Sequence, residues 1–287
     1  MHIMRLYIAF LIAGISISCA AFAEESPDDL LHFSRKQEDA LVVKATNSDL
    51  IVLEDVNPDR VYLMGYSAGG DGVYQLAPRM ADTWAAAAMM AGHPNGVPLL
   101  SLRNLPFALQ VGGKDAAYNR NKVGREYGEM LEKLQQDDPK GYPHFVKIHE
   151  DKPHWMGGED KVALPWMAKF SRDPIPTRVV WKQSGTAHDR FYWLGVPAKE
   201  AMNDSFVVAE RKGQSIDIKT VEKVGKLLIR LDDRMVNLDE PVTVMHDGKE
   251  LFRGTAPRTI AAIASTLAER GDPKLTFDAE VAVDINK

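Results

Sequence analysis

Cysteine is almost absent from this chain: Cys19 is the single one among 287 residues. One thiol forms no disulfide within the chain, so packing must stabilise the fold. The net charge of −5 lacks the basic excess typical of nucleic-acid binding. Outside the N-terminus no apolar run is long enough to span a bilayer. An ordinary globular composition is left, with enough residues for two modest domains.

The first 23 residues predict an export signal. Arg5 gives a positive start, residues 6–17 form an apolar core, and the Ala-Phe-Ala at 21–23 fits a small-x-small cleavage site. A buried first helix, a membrane anchor and a lipoprotein signal at Cys19 are the alternatives. We expect a secreted or periplasmic protein that has no membrane span once the signal is removed.

Residues 24–172 alternate between apolar strands and amphipathic helices, a pattern typical of a parallel α/β sheet. A first helix is expected at about 26–45. Further strands are predicted at 60–65, 84–91, 105–111 and 144–149, and further helices at 70–82, 119–136 and 163–170. We therefore predict the α/β class for this part of the chain.

The pattern changes at the Asp-Pro-Ile-Pro linker of 173–176. Short alternating runs follow it, with one helix opened by Pro257 and closed by Gly271. Asp247-Gly248 is a hairpin turn signal. We predict a small β-rich domain with one helix over 173–287.

The most informative segment is Gly-Tyr-Ser-Ala-Gly-Gly at 65–70. It matches Gly-x-Ser-x-Gly, it follows an apolar strand, and a helix follows it. A serine hydroxyl is a weak nucleophile, so it must be exposed on a tight turn beside a base and beside oxyanion donors. The segment predicts a nucleophile elbow with Ser67 as the nucleophile and the Ala68 N–H as one oxyanion donor.

An acid and a base are expected at the same sheet edge, in the chain order serine, acid, histidine. Asp115 follows the predicted strand 105–111, and His154 follows 144–149. We predict that His154 takes the proton of Ser67 and that Asp115 orients the imidazole.

Each assignment has alternatives. Asp71 and Asp138 are rivals for the acid, and Asp115 itself has a second interpretation as a helix N-cap. His149 and His93 are rivals for the base. No two histidines share a helical face at metal-ligand spacing, so we predict no metal site.

The run 57–170 resembles the α/β-hydrolase superfamily, in particular secreted esterases of the polyhydroxybutyrate-depolymerase, feruloyl-esterase and dienelactone-hydrolase-like types. The matching pieces are 59–62, 65–70, 112–115 and 154–155. The resemblance implies hydrolysis of a small or polymeric carboxylic ester without a cofactor. Tyr66, Trp155 and His93 are candidate substrate-binding residues.

The chain departs from this family before the elbow. Such hydrolases have about four strands there and a Gly-rich oxyanion loop, whereas 24–59 is short and has no such motif. We therefore predict a truncated sheet, no evident second oxyanion donor, and an exposed edge at 60–65 that favours self-association. A serine peptidase is one alternative. Another is an impaired relative that binds through its C-terminal β-rich domain. The aromatic run 190–193 fits a sugar-stacking platform there, but the sequence favours a strand core for it.

Overall fold

A computed structural model describes residues 9–10 and 56–285. The predicted fold class is confirmed: a parallel α/β sheet is followed by a β-rich region with one α-helix. The five parallel strands stand in chain order. They are β1 Ala9–Phe10, β2 Tyr62–Tyr66, β3 Ala86–Met90, β4 Phe107–Gly112 and β5 His144–His149.

Three helices accompany this sheet: α1 Ala68–Arg79, α2 Arg120–Asp137 and α3 Ala163–Met167. The prediction placed the start of α1 two residues too late and the end of α3 three residues too late. Side chains at the centre of the sheet are buried, and every residue of β3 and β4 is buried. Burial on both faces explains why these strands read as continuous apolar runs.

Two glycines of α2 bring that helix close to the sheet. A Cβ at Gly124 would lie 2.7 Å from Val111, and one at Gly128 would lie 2.9 Å from Val146. Met130 of the same helix is 45% exposed, whereas Tyr127 and Leu131 are buried. The packing stripe of α2 therefore combines these two side chains with small residues that an apolar pattern does not reveal.

The predicted exposed edge at β2 is partly corrected. β1 pairs with β2 in parallel, with Ala9 opposite Leu63 and Phe10 opposite Met64. β2 thus has a neighbour on both sides at those two residues. β1 comes from the predicted export signal, and the predicted helix at 26–45 lies outside the described residues.

The β-rich region has two sheets, whose strand orders are β13-β12-β10-β9-β6 and β14-β11-β8-β7. The strands are β6 Arg178–Lys182, β7 Arg190–Phe191, β8 Leu194–Gly195, β9 Phe206–Lys212, β10 Ser215–Glu222, β11 Lys226–Leu231, β12 Val242–His246, β13 Lys249–Gly254 and β14 Ala279–Asp284. All neighbours pair antiparallel except β10 and β12. β7 and β8 are two short strands that flank a turn.

Local turn chemistry explains two boundaries here. Asp247 and Gly248 join β12 to β13 with φ values of 48° and 77°, the backbone of a type I′ hairpin turn. The single helix, α4 Ile260–Arg270, ends at Gly271 with φ 59°. It begins after Thr259, whose side chain accepts a hydrogen bond from Ala262 N, and not at the predicted Pro257.

The two regions share one hydrophobic core, which contains Leu63 and Phe107 as well as Trp181 and Ile229. Buried ion pairs lie beside it. Arg172 bonds Asp59 at 3.0 Å and Asp272 at 2.7 Å.

Asp82 lies in the same junction. It contacts Arg270 and accepts a hydrogen bond from Tyr192 N at 2.9 Å. Burial raises the pKa of Asp82, but the charge and hydrogen bond of Arg270, the Tyr192 N–H and the charge of Arg172 together outweigh that effect and leave the pKa below its ordinary value. The α/β sheet is therefore attached to the β-rich region by buried charges as well as by apolar contacts.

Candidate active site

Ser67 stands at a sharp turn between β2 and α1. Its backbone has φ 56° and ψ −119°, a conformation that non-glycine residues rarely adopt. The turn is possible because its neighbours lack side chains: a Cβ at Gly65 would lie 2.1 Å from Gly69 O, and one at Gly70 would lie 2.5 Å from Met90 O. The predicted elbow geometry is thus present, with the strain typical of a functional site.

Three predicted side chains meet at this turn. His154 Nε2 lies 2.9 Å from Ser67 Oγ, and His154 Nδ1 lies 2.6 Å from Asp115 Oδ2. A carboxylate only accepts, so Nδ1 carries the proton and Nε2 is free to accept from the serine hydroxyl. The arrangement can therefore move a proton off Ser67.

Asp115 is held by its own loop. Its side chain is 1% exposed, Asp115 N donates to Gly112 O at 3.0 Å, and Asn121 N donates to Asp115 O at 3.0 Å. Arg120 Nη1 lies 3.8 Å from the second carboxylate oxygen. The N-cap of α2 is Asn119, so Asp115 does not cap that helix.

The loops that carry Asp115 and His154 are joined backbone to backbone. Gly113 N donates to His149 O at 2.8 Å, and Lys114 N donates to Lys152 O at 2.9 Å. A Cβ at Gly112 would lie 2.0 Å from Pro153 O. This glycine permits the close approach that keeps acid and base in register.

Tyr66 positions the histidine loop. Its hydroxyl donates to His154 O at 2.6 Å and accepts from Met156 N at 3.0 Å. Burial raises the pKa of the Tyr66 hydroxyl. Both hydrogen bonds tie the hydroxyl to the loop. If Tyr66 binds substrate as predicted, only its ring is left to contact the ligand.

The other two predicted substrate-binding residues differ in their surroundings. Trp155 is 65% exposed, and its ring lies 5.5 Å from that of Tyr66. His93 is bound locally: its N donates to Asp71 Oδ1 at 2.6 Å, and its Nδ1 accepts from Asn95 N at 3.1 Å. Trp155 thus offers an open aromatic surface beside His154, whereas His93 shapes the loop after β3.

The rival residues have other partners. Asp138 bonds Arg103 at 2.7 Å, and the carboxylate of Asp71 bonds the His93 backbone. His149 is buried between Gln110 and Glu159. None of the three bonds Ser67 or His154.

The Ala68 N–H donates to no described backbone group, and Ala68 is exposed at the start of α1. It is free to donate to a developing oxyanion. Residues 24–55, which precede the elbow strand, lie outside the described residues.

The run 190–193 is not a sugar platform. Phe191 and Tyr192 are 1% exposed and Trp193 is fully buried, with its indole N–H donating to Pro176 O at 2.7 Å. These rings pack in the shared core, which is the role that the sequence favours over a sugar-stacking surface.

Residues beyond the motif also shape the site. Sequence reasoning missed the Tyr66 hydroxyl as an anchor, and Arg120 and Asn121 as neighbours of Asp115. The paired glycines at 112–113 were the one available signal of a close backbone approach. Within 9–10 and 56–285 no acidic, histidine or cysteine group has metal-binding geometry, and no helix is long and apolar enough to cross a membrane.

No protein-family model matches the chain, and no curated protein matches its sequence. Similar solved structures include a thermostable esterase, at 20% identity over 47% of this chain and 37% of that chain, TM-score 0.39. A Bacillus cereus carboxylesterase is 19% identical over 50% of this chain and 62% of that one, TM-score 0.36. A Mesorhizobium loti carboxylesterase is 18% identical over 46% and 61%, TM-score 0.34. The chain spans less than two thirds of each.

Proposed function

We propose that this chain is a serine carboxylesterase of the α/β-hydrolase type. The observation that carries the proposal is the continuous contact from Ser67 Oγ through His154 to Asp115, at 2.9 and 2.6 Å. Three residues that are distant in sequence are hydrogen-bonded in the order nucleophile, base and acid, which nucleophilic acyl transfer requires.

In the proposed reaction Ser67 Oγ attacks the ester carbonyl carbon while His154 Nε2 takes its proton. The Ala68 N–H donates to the oxyanion. The C–O bond to the alcohol then breaks, and His154 returns the proton to the leaving oxygen. A water molecule, deprotonated by His154, attacks the acyl carbon, and the bond from that carbon to Ser67 Oγ breaks. His154 returns the proton to Ser67 Oγ, and the carboxylic acid is released. Asp115 stays ionised and stabilises the imidazolium.

The rate depends on a second oxyanion donor. Losing one such donor costs about 10²–10³-fold in kcat. If the Ala68 N–H is the one oxyanion donor, we expect kcat to be lower by about that factor than in a site with two donors.

Hydrolysis of p-nitrophenyl butyrate tests the proposal. Wild type should release p-nitrophenol, and His154→Ala should lose about 10³-fold or more of kcat. His246→Gln, on β12, is the matched control and should stay active. A folded wild type that is inert would contradict the proposal and favour the impaired relative, and cleavage of a peptide anilide in preference to the ester would favour a peptidase.

We also propose that the protein is exported and cleaved after Ala23. Cleavage would remove β1 and leave β2 without its neighbour at Leu63 and Met64. An apolar parallel strand whose edge is left unpaired tends to pair with a strand of another chain. The mature protein should therefore self-associate more than the full-length chain.

A further inference from the structure

A cavity of about 490 Å³ runs along α1 and begins at the residue after Ser67. One wall is a stripe of α1 residues at helical spacing: Ala68, Asp71, Gly72, Gln75, Leu76 and Arg79. The facing wall consists of two loops, 95–97 and 184–185. The cavity thus connects the start of the elbow helix with the β-rich region.

Arg79 is fixed at the far end of the cavity by neutral groups. Its Nε donates to Ser184 O at 2.7 Å, and its Nη2 donates to Gln75 Oε1 at 2.7 Å. Gln75 is itself held, because its Nε2 donates to Pro94 O at 2.7 Å. The guanidinium therefore has a defined orientation, and its Nη1 donates to none of the described residues.

Gly185 leaves room for this guanidinium. A Cβ at Gly185 would lie 2.3 Å from Arg79 Nη2, and the residue has a φ of 74° that favours glycine. The loop is thus shaped around the arginine head group, which indicates a built position and not a side chain that happens to rest on the surface.

The charge of Arg79 is uncompensated within the described residues. It forms no ion pair with any of them, and burial lowers its pKa. A partly desolvated cation that has only neutral partners gains free energy when an anion binds. The fork of Arg79 suits a carboxylate, which takes two parallel hydrogen bonds.

Asp71 gives the opposite end of the cavity a negative charge. It lies one turn from Ser67, and its Oδ1 already accepts from His93 N. An anion is repelled from that end and attracted to the other. The side chain of Arg79 reaches back to the level of Gln75, about 10 Å along the helix from Ala68.

We propose that this cavity binds the non-reacting end of the ester and that this end carries a carboxylate held by Arg79. The inference rests on the proposed esterase function and names its substrate class: esters with an anion about 10 Å from the scissile carbonyl. Specificity for a charged tail would then come from one residue, outside the Ser67 relay.

The test compares mono-p-nitrophenyl esters of straight-chain dicarboxylic acids with p-nitrophenyl alkanoates of equal length. Acetate esters of ω-hydroxy acids place the tail on the alcohol side instead. We expect wild type to prefer the acid tail in one of these two series. Arg79→Gln should lower the ratio of kcat/KM for that tail to kcat/KM for the alkanoate of equal length by about 10–100-fold, and Arg79→Lys should recover part of the loss.

Arg253→Gln, which removes an exposed charge on β13, is the matched control. It should leave kcat/KM unchanged for both the acid-tailed and the neutral esters. A wild type that hydrolyses neutral esters without any preference for an acid tail, or an Arg79→Gln variant with the preference intact, would overturn the inference and leave the esterase proposal standing.

A binding measurement separates this inference from catalysis. Free octanoate, which carries one carboxylate on an eight-carbon chain, should bind the inert Ser67→Ala variant in calorimetry, and the added Arg79→Gln change should abolish binding. If wild type hydrolyses no ester, binding still decides the subsite: heat that depends on Arg79 supports it, and no heat overturns it.

Discussion

The two regions of this molecule use their polar groups differently. In the parallel sheet, β2, β4 and β5 all end at one edge, and Ser67, Asp115 and His154 follow those three ends. In the β-rich region, Arg270 and Asp272 form ion pairs with Asp82 and Arg172 across the junction with the first region. The parallel topology brings residues that are distant in sequence into one site. The mostly antiparallel sheets support the region that carries this site.

We expect the largest effect from a substitution that disrupts the Ser67–His154–Asp115 site and leaves the protein folded. Asp115→Asn keeps the shape of the loop but favours the wrong imidazole tautomer, so we expect kcat to fall about 10⁴-fold. Measured under the same conditions, Asp217→Asn on β10 should be as active as wild type. Equal activity of Asp115→Asn and wild type would contradict the assigned acid.

The next effect breaks the junction and spares the chemistry. Asp82→Asn leaves the Arg270 guanidinium facing a neutral amide in a buried place, and we expect the free energy of unfolding to fall by about 3–5 kcal/mol. Urea titration measures it. Asp217→Asn, whose partner Lys219 is exposed, should leave the urea midpoint unchanged.

A third substitution separates positioning from packing. Tyr66→Phe removes a hydroxyl that bonds His154 O and Met156 N, so we expect kcat to fall about tenfold with little change in KM. Tyr127→Phe removes a buried hydroxyl bonded to Val97 O. It should cost about 1 kcal/mol of stability and no kcat. Equal kcat for both variants would show that Tyr66 only packs.

The smallest effect is a pH dependence of the free energy of unfolding at Asp138, which contacts Arg178 of the β-rich region. Burial raises the pKa of Asp138, but hydrogen bonds and charge from Arg103, with Arg178, outweigh it and hold the pKa below the ordinary 3.8. The stability from this carboxylate is present above that pH and is lost as the pH falls through the lowered pKa. The stability gap between wild type and Asp138→Asn should therefore shrink below about pH 4. A gap that is constant from pH 7 to about 3 would contradict it.

Strand–helix alternation and the Gly-x-Ser-x-Gly motif were enough to predict the fold class and to name the three residues that meet. Both signals are local: apolar periodicity reports burial, and glycine reports a tight turn. The partners of Tyr66 and the hydrogen bond of Arg79 to Ser184 O were not predictable, because each joins segments more than 80 residues apart. The strand Ala9–Phe10 was missed because its apolar residues were attributed to an export signal.

Labelling with a fluorophosphonate, followed by intact-protein mass spectrometry, tests whether Ser67 is an activated nucleophile. We expect one adduct per chain, located on Ser67, that disappears in Ser67→Ala and forms far more slowly in His154→Ala. An unlabelled but folded wild type, or an adduct that persists in Ser67→Ala, would contradict it.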